Sequence, residues 1–578
     1  MTKGITFLTE ALGCAILSAA VQAESNVKYT QTISQATNPL AVNGMVTSPN
    51  YLATQAGVEI LRKGGSAVDA VIATASVMTV VYPQMCTMGG DNFWLIYNAK
   101  TGELKALNAS GRAGEKATIE FYKSKGLSKI PSRGYLAANT VPGVPSGWSE
   151  AYNKYSQKNM QTKVTWSDDL ASAIFYAQEG FPVNTSLEFW SQINVDPNDQ
   201  EFRNLQRFDS FKQTFLKPDG SIYKTGEILK QPAVAKTLRL IAEKGVDEFY
   251  KGSIAKAITA DLQAHGGLLT AKDFAEHHAD WVEPIHVNYR DTVAYNFPPN
   301  TQGMASLEIL NILNQYDVKK LGEGTADYYH LIIEAIKESF IDRDRYLSDP
   351  EFVKIPLDYL LSKQHALEQA ARISMTKAAS KKKPLDSKGD TVWIGAVDKE
   401  GNAVSLIQSI YHDFGSGIVA GNTGVLLQNR GSFFSLDPNH VNHLEPHKRT
   451  FHTLNPAMLL KNGKPYLVYG TMGGEGQPQT QAALVTRIVD FGMTPQEAIT
   501  APRWLYGRTW GASSNDLKLE GRIPSEVVAE LKKRGHPVKV VADFTDTMGH
   551  AGAILVNQET GVLEGGTDVR GDGLAAGF

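Results

Sequence analysis

The spacing of apolar positions changes character along the chain. Leu52, Ala56, Val58, Ile60 and Leu61 repeat at helical spacing, with Ser48 as the expected cap, Pro49 in the first turn and Gly64-Gly65 as the stop. Ser66 predicts the cap of a second helix over 67–80, apolar on nearly every side and therefore buried. Gly89-Gly90-Asp91 then leads into a strand over 93–97, which returns over 104–107. From there to residue 373 helical patterns dominate, at 148–156, 166–179, 231–244, 252–264, 270–277, 305–315 and 325–347. Two stretches interrupt them, the stiff loop around Pro142-Gly143-Val144-Pro145 and the loop 296–303, whose composition predicts close approach to another part of the molecule. Asp342-Arg343-Asp344-Arg345 reads as a solvated, self-paired helix end.

After residue 391 the pattern turns to strands. Residues 392–397 are apolar on both faces, the mark of a strand covered on both sides. Asp398-Lys399-Glu400-Gly401-Asn402 predicts a hairpin turn and 403–410 the returning strand. A second pair, 457–460 and 466–469, precedes Met472-Gly473-Gly474-Glu475-Gly476, which opens a helix over 479–491. Thr494-Pro495-Gln496-Glu497 is a capping box, and the remaining strands flank one helix over 524–534. Strand pairs separated by helices predict stacked antiparallel sheets covered by helices, not a Rossmann sheet.

Composition narrows the classes. A net charge of -3 over 578 residues provides no electrostatic basis for binding nucleic acid. Two cysteines, Cys14 and Cys86, exclude a disulfide framework. The start reads as an export signal, with an apolar run over 11–21 and small residues before a cut after Ala23; Glu10 leaves an ordinary N-terminal helix as the alternative. No later apolar run is long enough to span a membrane. The histidines show no metal-site spacing, so neither metal nor cofactor is expected.

Thr391 stands where a basic tract, 376–384, gives way to the buried strand. It is either a β-favouring residue opening that strand or a nucleophile released by a cut between Asp390 and Thr391. An N-terminal threonine carries both halves of a catalytic unit: its hydroxyl attacks, and its α-amine, with a pKa near ~8, takes the proton. Gly473-Gly474, just before a helix, can aim backbone N–H groups at a developing oxyanion. Ser409, on the returning strand, is placed to tune the nucleophile or is a plain strand serine. Arg112, flanked by small residues, suits either a carboxylate ligand or a surface ion pair.

Together these stretches resemble the γ-glutamyltranspeptidase family of N-terminal-nucleophile hydrolases, through Gly64-Gly65-Ser66-Ala67-Val68-Asp69-Ala70, Gly89-Gly90, Pro142-Gly143-Val144-Pro145, Gly389-Asp390-Thr391, Phe414-Gly415-Ser416-Gly417, Met472-Gly473-Gly474 and Ala501-Pro502-Arg503-Trp504. The resemblance implies an α+β fold, a four-layer αββα sandwich of two stacked antiparallel sheets, with a helical region in the large subunit. It implies a precursor cut into a large subunit, 24–390, and a small one, 391–578, that stay associated after removal of 1–23. Thr391 is then the nucleophile and Gly473 and Gly474 the oxyanion hole. The pocket departs from glutathione-cleaving members: Ser409 replaces a threonine, Tyr411 an asparagine, Phe433 an aspartate and His452-Thr453 a serine pair, and Arg112 lies about two positions from the usual arginine. Tyr411-His412-Asp413, Leu427-Gln428-Asn429-Arg430-Gly431 and Phe451-His452-Thr453-Leu454-Asn455-Pro456 are instead similar to a subgroup of amidohydrolases that includes oxamate amidohydrolase and the cephalosporin (glutaryl) acylases.

The expectation is a self-processing amidohydrolase acting on a small carboxylate-bearing amide. Thr391, Ser409, Gly473 and Gly474 carry the chemistry. Arg112, Tyr411, Arg430, His452 and Thr453 bind the substrate, with Arg112, Arg430 and His452 as the carboxylate ligands. A γ-glutamyl transferase or glutathione hydrolase with an altered pocket, and a self-cleaved inactive binding protein, are the alternatives. The export signal implies a periplasmic or secreted enzyme, or a cytoplasmic one if that segment is not a signal.

Overall fold

The strand that begins at Asp390 lies in the middle of a sheet. The computed structural model describes residues 37–160, 162–199, 201–380, 390–507 and 516–578. The export-signal reading and the basic tract beyond residue 380 lie outside the described residues. In chain order, the strands of the two main sheets are β1 (Leu40–Ala41), β2 (Gly44–Ser48), β3 (Asp91–Asn98), β4 (Glu103–Ala109), β5 (Asp280–Val282), β6 (Ile285–Tyr289), β7 (Thr292–Asn296), β8 (Asp390–Asp398), β9 (Ala403–Tyr411), β10 (Ala457–Lys461), β11 (Lys464–Thr471), β12 (Ala551–Val556), β13 (Leu563–Thr567) and β14 (Leu574–Gly577). The helices that matter below are α1 (Tyr51–Arg62), α2 (Ala67–Val81), α3 (Gly303–Leu313), α4 (Ala326–Tyr346), α5 (Lys363–Arg372) and α6 (Gly476–Val485).

One sheet runs β14-β2-β8-β9-β3-β4-β5 and the other β1-β13-β12-β11-β10-β7-β6. Neighbours in both are antiparallel. Alternation along β8 shows how the layers stack. Val392, Ile394 and Ala396 pack in one core with Val68, Val71 and Ile72 of α2. Trp393 and Val397 point the other way, into a core shared with Met458, Val468 and Ile554 of the second sheet. The outer face of that sheet, through Leu459, Leu467 and Tyr469, packs on Ile309, Ile332 and Ile336 of α3 and α4. The result is the expected αββα sandwich.

Trp393 locks the two sheets together. A Cβ at Gly470 or Gly552 would sit 2.2 or 2.5 Å from its indole, so only glycine admits the ring there. The indole Nε1 donates to Ser405 Oγ at 2.9 Å, and the same Oγ accepts the Ala457 N–H of the facing sheet at 3.2 Å. This contact also orients the strands. Trp393 rests on Gly470, while Val397 and Asp398 line one cavity with Lys464 and Pro465. So β8 and β11 run in opposite directions across the layers. The start of β8 and the end of β11 therefore lie at the same end of the sandwich.

Several local expectations need correction. The first helix is capped by Asn50, whose side chain accepts the Leu52 N–H, not by Ser48. Ser66 does cap α2, in a capping box with Asp69. Three short strands, β5 to β7, lie inside the stretch read as helical; their alternation spans too few residues to stand out between helices. The helices predicted over 148–156 and 479–491 each end in a π-helical turn, Tyr152–Gln157 and Thr486–Asp490. Among the described residues no helix is long and apolar enough to cross a membrane.

Candidate active site

The β8 ladder slips where it begins. Asp390 partners Tyr411 and Val392 partners Gln408, so Ser409 and Ile410 together stand opposite Thr391. This bulge on β9 marks Thr391 as the irregular step of an otherwise regular ladder. Thr391 is fully buried. Tyr411 takes a left-handed backbone, φ 80°, and donates its N–H to Ser409 Oγ at 2.8 Å. Gly90 lets β3 reach this place, since a Cβ there would lie 2.1 Å from the Ser409 carbonyl oxygen.

The turn after β11 supplies the second half of the site. Gly473 and Gly474 both have positive φ, 116° and 54°, a run that glycine enters without strain. The Gly473 and Gly474 carbonyls accept the N–H groups of Gly476 and Gln477 at 2.8 and 3.2 Å, which starts α6. No acceptor among the described residues takes the N–H of Gly473 or Gly474. A pair of adjacent donors at the head of a buried helix is the arrangement an oxyanion requires.

Three groups hold that turn. Gln302 Nε2 donates to the carbonyls of Gly474 and Thr453, both at 2.8 Å. Arg343 in turn donates to Gln302 Oε1 at 3.2 Å and pairs with Glu475 at 3.5 Å and Asp344 at 2.7 Å. Gly549 lies beneath, where a Cβ would meet the Met472 carbonyl oxygen at 2.2 Å. The Asp342–Arg345 run is thus not a solvated helix end: Asp342 and Arg343 are buried, and each is fixed by a partner from another element. The loop 296–303 makes the predicted close approach, and Gln302 is its point of contact.

Opposite the turn lies a buried cation. The Arg430 guanidinium is 1% exposed and 4.0 Å above the Tyr411 ring, and none of its three nitrogens has a hydrogen-bond partner among the described residues. Burial lowers its pKa to about 10, so it stays charged at neutral pH. A charge held this way is costly unless something pairs with it. The carboxylate that acts on Arg430 is Asp91, and it does so through space. Asp91 accepts from the Gly111 N–H and Gln428 Nε2, both at 2.9 Å, and contacts His452 Nε2 at 3.1 Å. Burial pushes the Asp91 carboxyl up to about 6, which leaves it ionised at pH 7. Burial, with Arg430 second, holds His452 well below its ordinary range, so the contact joins a neutral imidazole to a carboxylate.

The structure thus brings Thr391, Ser409, Tyr411, Arg430, His452, Thr453, Gly473 and Gly474 to one end of the sandwich. Two binding expectations change. Arg112 is ion-paired to Asp280 at 3.1 Å and Glu351 at 3.3 Å, so its charge is already met. His452 is no cation for a carboxylate, because its Nε2–H serves Asp91. Thr453 keeps a buried hydroxyl without a hydrogen-bond partner among the described residues. At the position of the family's ammonium-binding aspartate, Phe433 stacks on Phe451 (centroids 4.7 Å apart) and meets Tyr411 edge-on at 5.8 Å. Asp91, Gln302, Arg343 and Arg133 were missed. Arg133 NH1 donates to the carbonyls of Asp413 and Gly415 at 2.5 Å and shapes the turn after Tyr411.

Comparison with known proteins agrees with this geometry. The family model for gamma-glutamyltranspeptidase matches residues 53–578. The glutathione hydrolase-like YwrD proenzyme of Bacillus subtilis (strain 168) is 46% identical over 92% of this chain and 98% of its own length. The oxamate amidohydrolase proenzyme of Klebsiella pneumoniae is 43% identical over 93% and 99%. The crystal structure of cephalosporin acylase from Bacillus halodurans superposes with a TM-score of 0.86 at 38% identity, covering 96% of this chain and 99% of that one. The chain belongs to the gamma-glutamyltranspeptidase family.

Proposed function

We propose that this chain is a self-processing, N-terminal-threonine amidohydrolase whose substrate is a small amide with a carboxylate on its acyl part. The observation that carries the reading is Arg430, a buried guanidinium without a hydrogen-bond acceptor among the described residues, set on the Tyr411 ring beside the start of β8. A carboxylate on the acyl chain would supply the missing partner with bidentate geometry. Phe433 supports this choice over a γ-glutamyl group, because aromatic carbon stands where an ammonium would need an anion.

Maturation starts with attack of Thr391 Oγ1 on the Asp390 carbonyl carbon. The C–N bond breaks, the departing nitrogen takes up the proton that the hydroxyl gives up, and the Asp390 acyl group passes to the hydroxyl oxygen as an ester. Water hydrolyses the ester and leaves a free α-amine and hydroxyl on Thr391. In turnover the α-amine takes the Oγ1 proton as Oγ1 attacks the substrate amide. The N–H groups of Gly473 and Gly474 receive the oxyanion, the leaving amine departs with the proton, and water resolves the acyl-enzyme. Ser409 supports the nucleophile from the bulge. None of these steps calls on a cofactor. The two subunits, 24–390 and 391–578, stay together, and removal of 1–23 would place the enzyme in the periplasm or outside the cell.

The test pairs processing with a substrate panel. Thr391→Ala should run as one uncut band without activity, at 63.0 kDa for the whole chain or slightly less once 1–23 is removed; an uncut variant that still turns over substrate would sink the reading. Matured enzyme should prefer oxamate or glutaryl amides to glutathione and γ-glutamyl anilide. The reverse order, with acceleration by a dipeptide acceptor, would assign the chain to glutathione hydrolysis and transpeptidation.

A further inference from the structure

Behind the second sheet, helices α3, α4 and α5 meet around polar side chains that the chemistry above does not use. Glu308 comes from α3, Asp342 from α4, and His365 and Gln369 from one face of α5, four residues apart. One ligating atom each from Glu308, Asp342 and His365 lie within 4.8 Å of one another. All four residues are buried, Glu308 and Gln369 completely. Asp342 Oδ2 takes His365 Nε2 at 2.7 Å and Gln369 Nε2 at 3.0 Å.

Other atoms of the cluster are unmatched. Neither carboxylate oxygen of Glu308 has a partner at full hydrogen-bond geometry among the described residues, although the Ser339 hydroxyl and the Gln369 amide favour its charged form from close by; Gln369 Oε1 has no partner among the described residues. The Ser339 hydroxyl beside Glu308 donates to the Ala305 carbonyl at 2.9 Å. Among the described residues no lysine or arginine compensates the charge. Arg343 turns away to Asp344 and Glu475, and Arg372 pairs with Glu338 at 2.6 Å. Two carboxylates this close in a dry interior require a cation or a proton between them. The Gln369 amide turns its Nε2 to Asp342, an orientation that the hydrogen-bond pattern alone assigns; with a cation in place, the flipped amide would present a neutral oxygen donor instead. Glu368 also approaches His365 Nδ1, at 3.8 Å, on the side away from Asp342. A carboxylate behind a ligating imidazole is a common support for a bound metal.

We propose that Glu308, Asp342, His365 and Gln369 bind one divalent first-row transition ion that bolts α3, α4 and α5 together. Carboxylate and amide oxygens with one imidazole nitrogen suit an ion of the Mn2+, Fe2+ or Zn2+ class. The sequence expectation of no metal rested on spacing along the chain, and these ligands come from three separate helices. The other histidine–carboxylate cluster, His330, Glu334 and His536, is closed by its own partners: the two rings bond each other at 2.8 Å, and Lys337 and the Ala379 N–H occupy Glu334. The proposed ion is next to Arg343 in the chain, so its loss would loosen the support of Gln302 and Glu475 beneath the oxyanion turn.

The test uses untagged, full-length matured protein from manganese- and zinc-supplemented medium. After dialysis against metal-free buffer, mass spectrometry should find one equivalent of a transition metal per chain, and none in Glu308→Gln. Chelator treatment should lower Tm by several degrees, with recovery on adding Mn2+ or Zn2+ to the wild type only. Co2+ added to stripped wild-type protein should give a visible d–d band that Glu308→Gln lacks. Metal-free wild-type protein with no metal-dependent shift in Tm and no Co2+ band would overturn the proposal and mean that the carboxylates share a proton. The Co2+ and Tm readings on the wild type stand even if the variant fails to fold.

Discussion

The Arg430 guanidinium carbon lies 4.0 Å from the centre of the Tyr411 ring, and Tyr411 is the backbone partner of Asp390, the residue before the proposed nucleophile. The cation is therefore one strand away from the reacting bond. Arg430→Met should cost a carboxylate-bearing substrate a charge-assisted contact of about 1.5–3 kcal/mol, roughly tenfold to a hundredfold or more in kcat/KM. A neutral acyl amide should lose far less. Tm should hold or rise, since the variant removes a buried charge that lacks a hydrogen-bond partner. Equal losses on both substrates would remove Arg430 from substrate binding.

Gln302 touches the oxyanion turn only through the Gly474 carbonyl. Gln302→Leu should lower kcat by about tenfold or more with little change in KM, because the turn serves the transition state and not the ground state. Steady-state kinetics on matured enzyme decide it. A rise in KM alone would mean that Gln302 shapes binding instead.

Gly549 combines a φ of 71° with contact to the Met472 carbonyl. Gly549→Ala adds left-handed strain of order 1 kcal/mol or more and drives a methyl group into the turn. Both self-cleavage and turnover should slow, by at least about tenfold, through displacement of Gly473 and Gly474. The half-time of cleavage on a gel measures the first, and initial rates the second. Wild-type rates would show that the turn tolerates the shift.

Asp91 sets a pH dependence whose sign can be worked out. Folded, its carboxyl keeps a proton up to about pH 6; unfolded, it loses it near 3.8. Between those values the folded state binds more protons, so the contribution of Asp91 to stability falls as pH rises, by about 3 kcal/mol in total by pH 7. Asp398, also pushed up to about 6 by burial, acts in the same direction. In the uncut Thr391→Ala background, denaturant unfolding of Asp91→Asn should converge toward or overtake its parent as pH rises from 4 to 7. A gap between the two that widens against the variant over that range would contradict the assignment.

Much of this molecule could be read from its sequence, for identifiable reasons. Strong periodicity placed the helix Trp166–Glu179 at its observed ends, where Thr165 caps it and Gly180 stops it. Thr391 stood out because composition changes abruptly beside it, and Gly473-Gly474 because paired glycines before a helix have few other uses. The binding residues were harder. Arg112 and Arg430 are both arginines among small or polar neighbours, and only the fold shows that Asp280 and Glu351 take the first, while the second has no hydrogen-bond acceptor among the described residues. His452 reads as a ligand for the substrate carboxylate, and nothing in the chain announces that Asp91, more than three hundred residues earlier, meets its ring. Arg343 looked self-paired within its own helix, and its partners Gln302 and Glu475 lie too far along the chain for any local pattern to find.

The strand orders carry a last consequence for how such an enzyme is made. In one sheet, β8 and β9 are inserted between β2 and β3; in the other, β10 to β13 are bordered by β1 on one side and β7 on the other. A cut before Thr391 therefore does not divide the molecule into two bodies that can part and meet again. The large product has a gap in each sheet, and the small one has a gap in the first and two bare edges in the second, so both keep unpaired backbone edges and half-built cores until the other joins. The covalent link is needed once, to bring the strands into register, and becomes dispensable when the weave is complete. Fragments produced from separate genes should accordingly aggregate when made apart and yield enzyme only when they fold together.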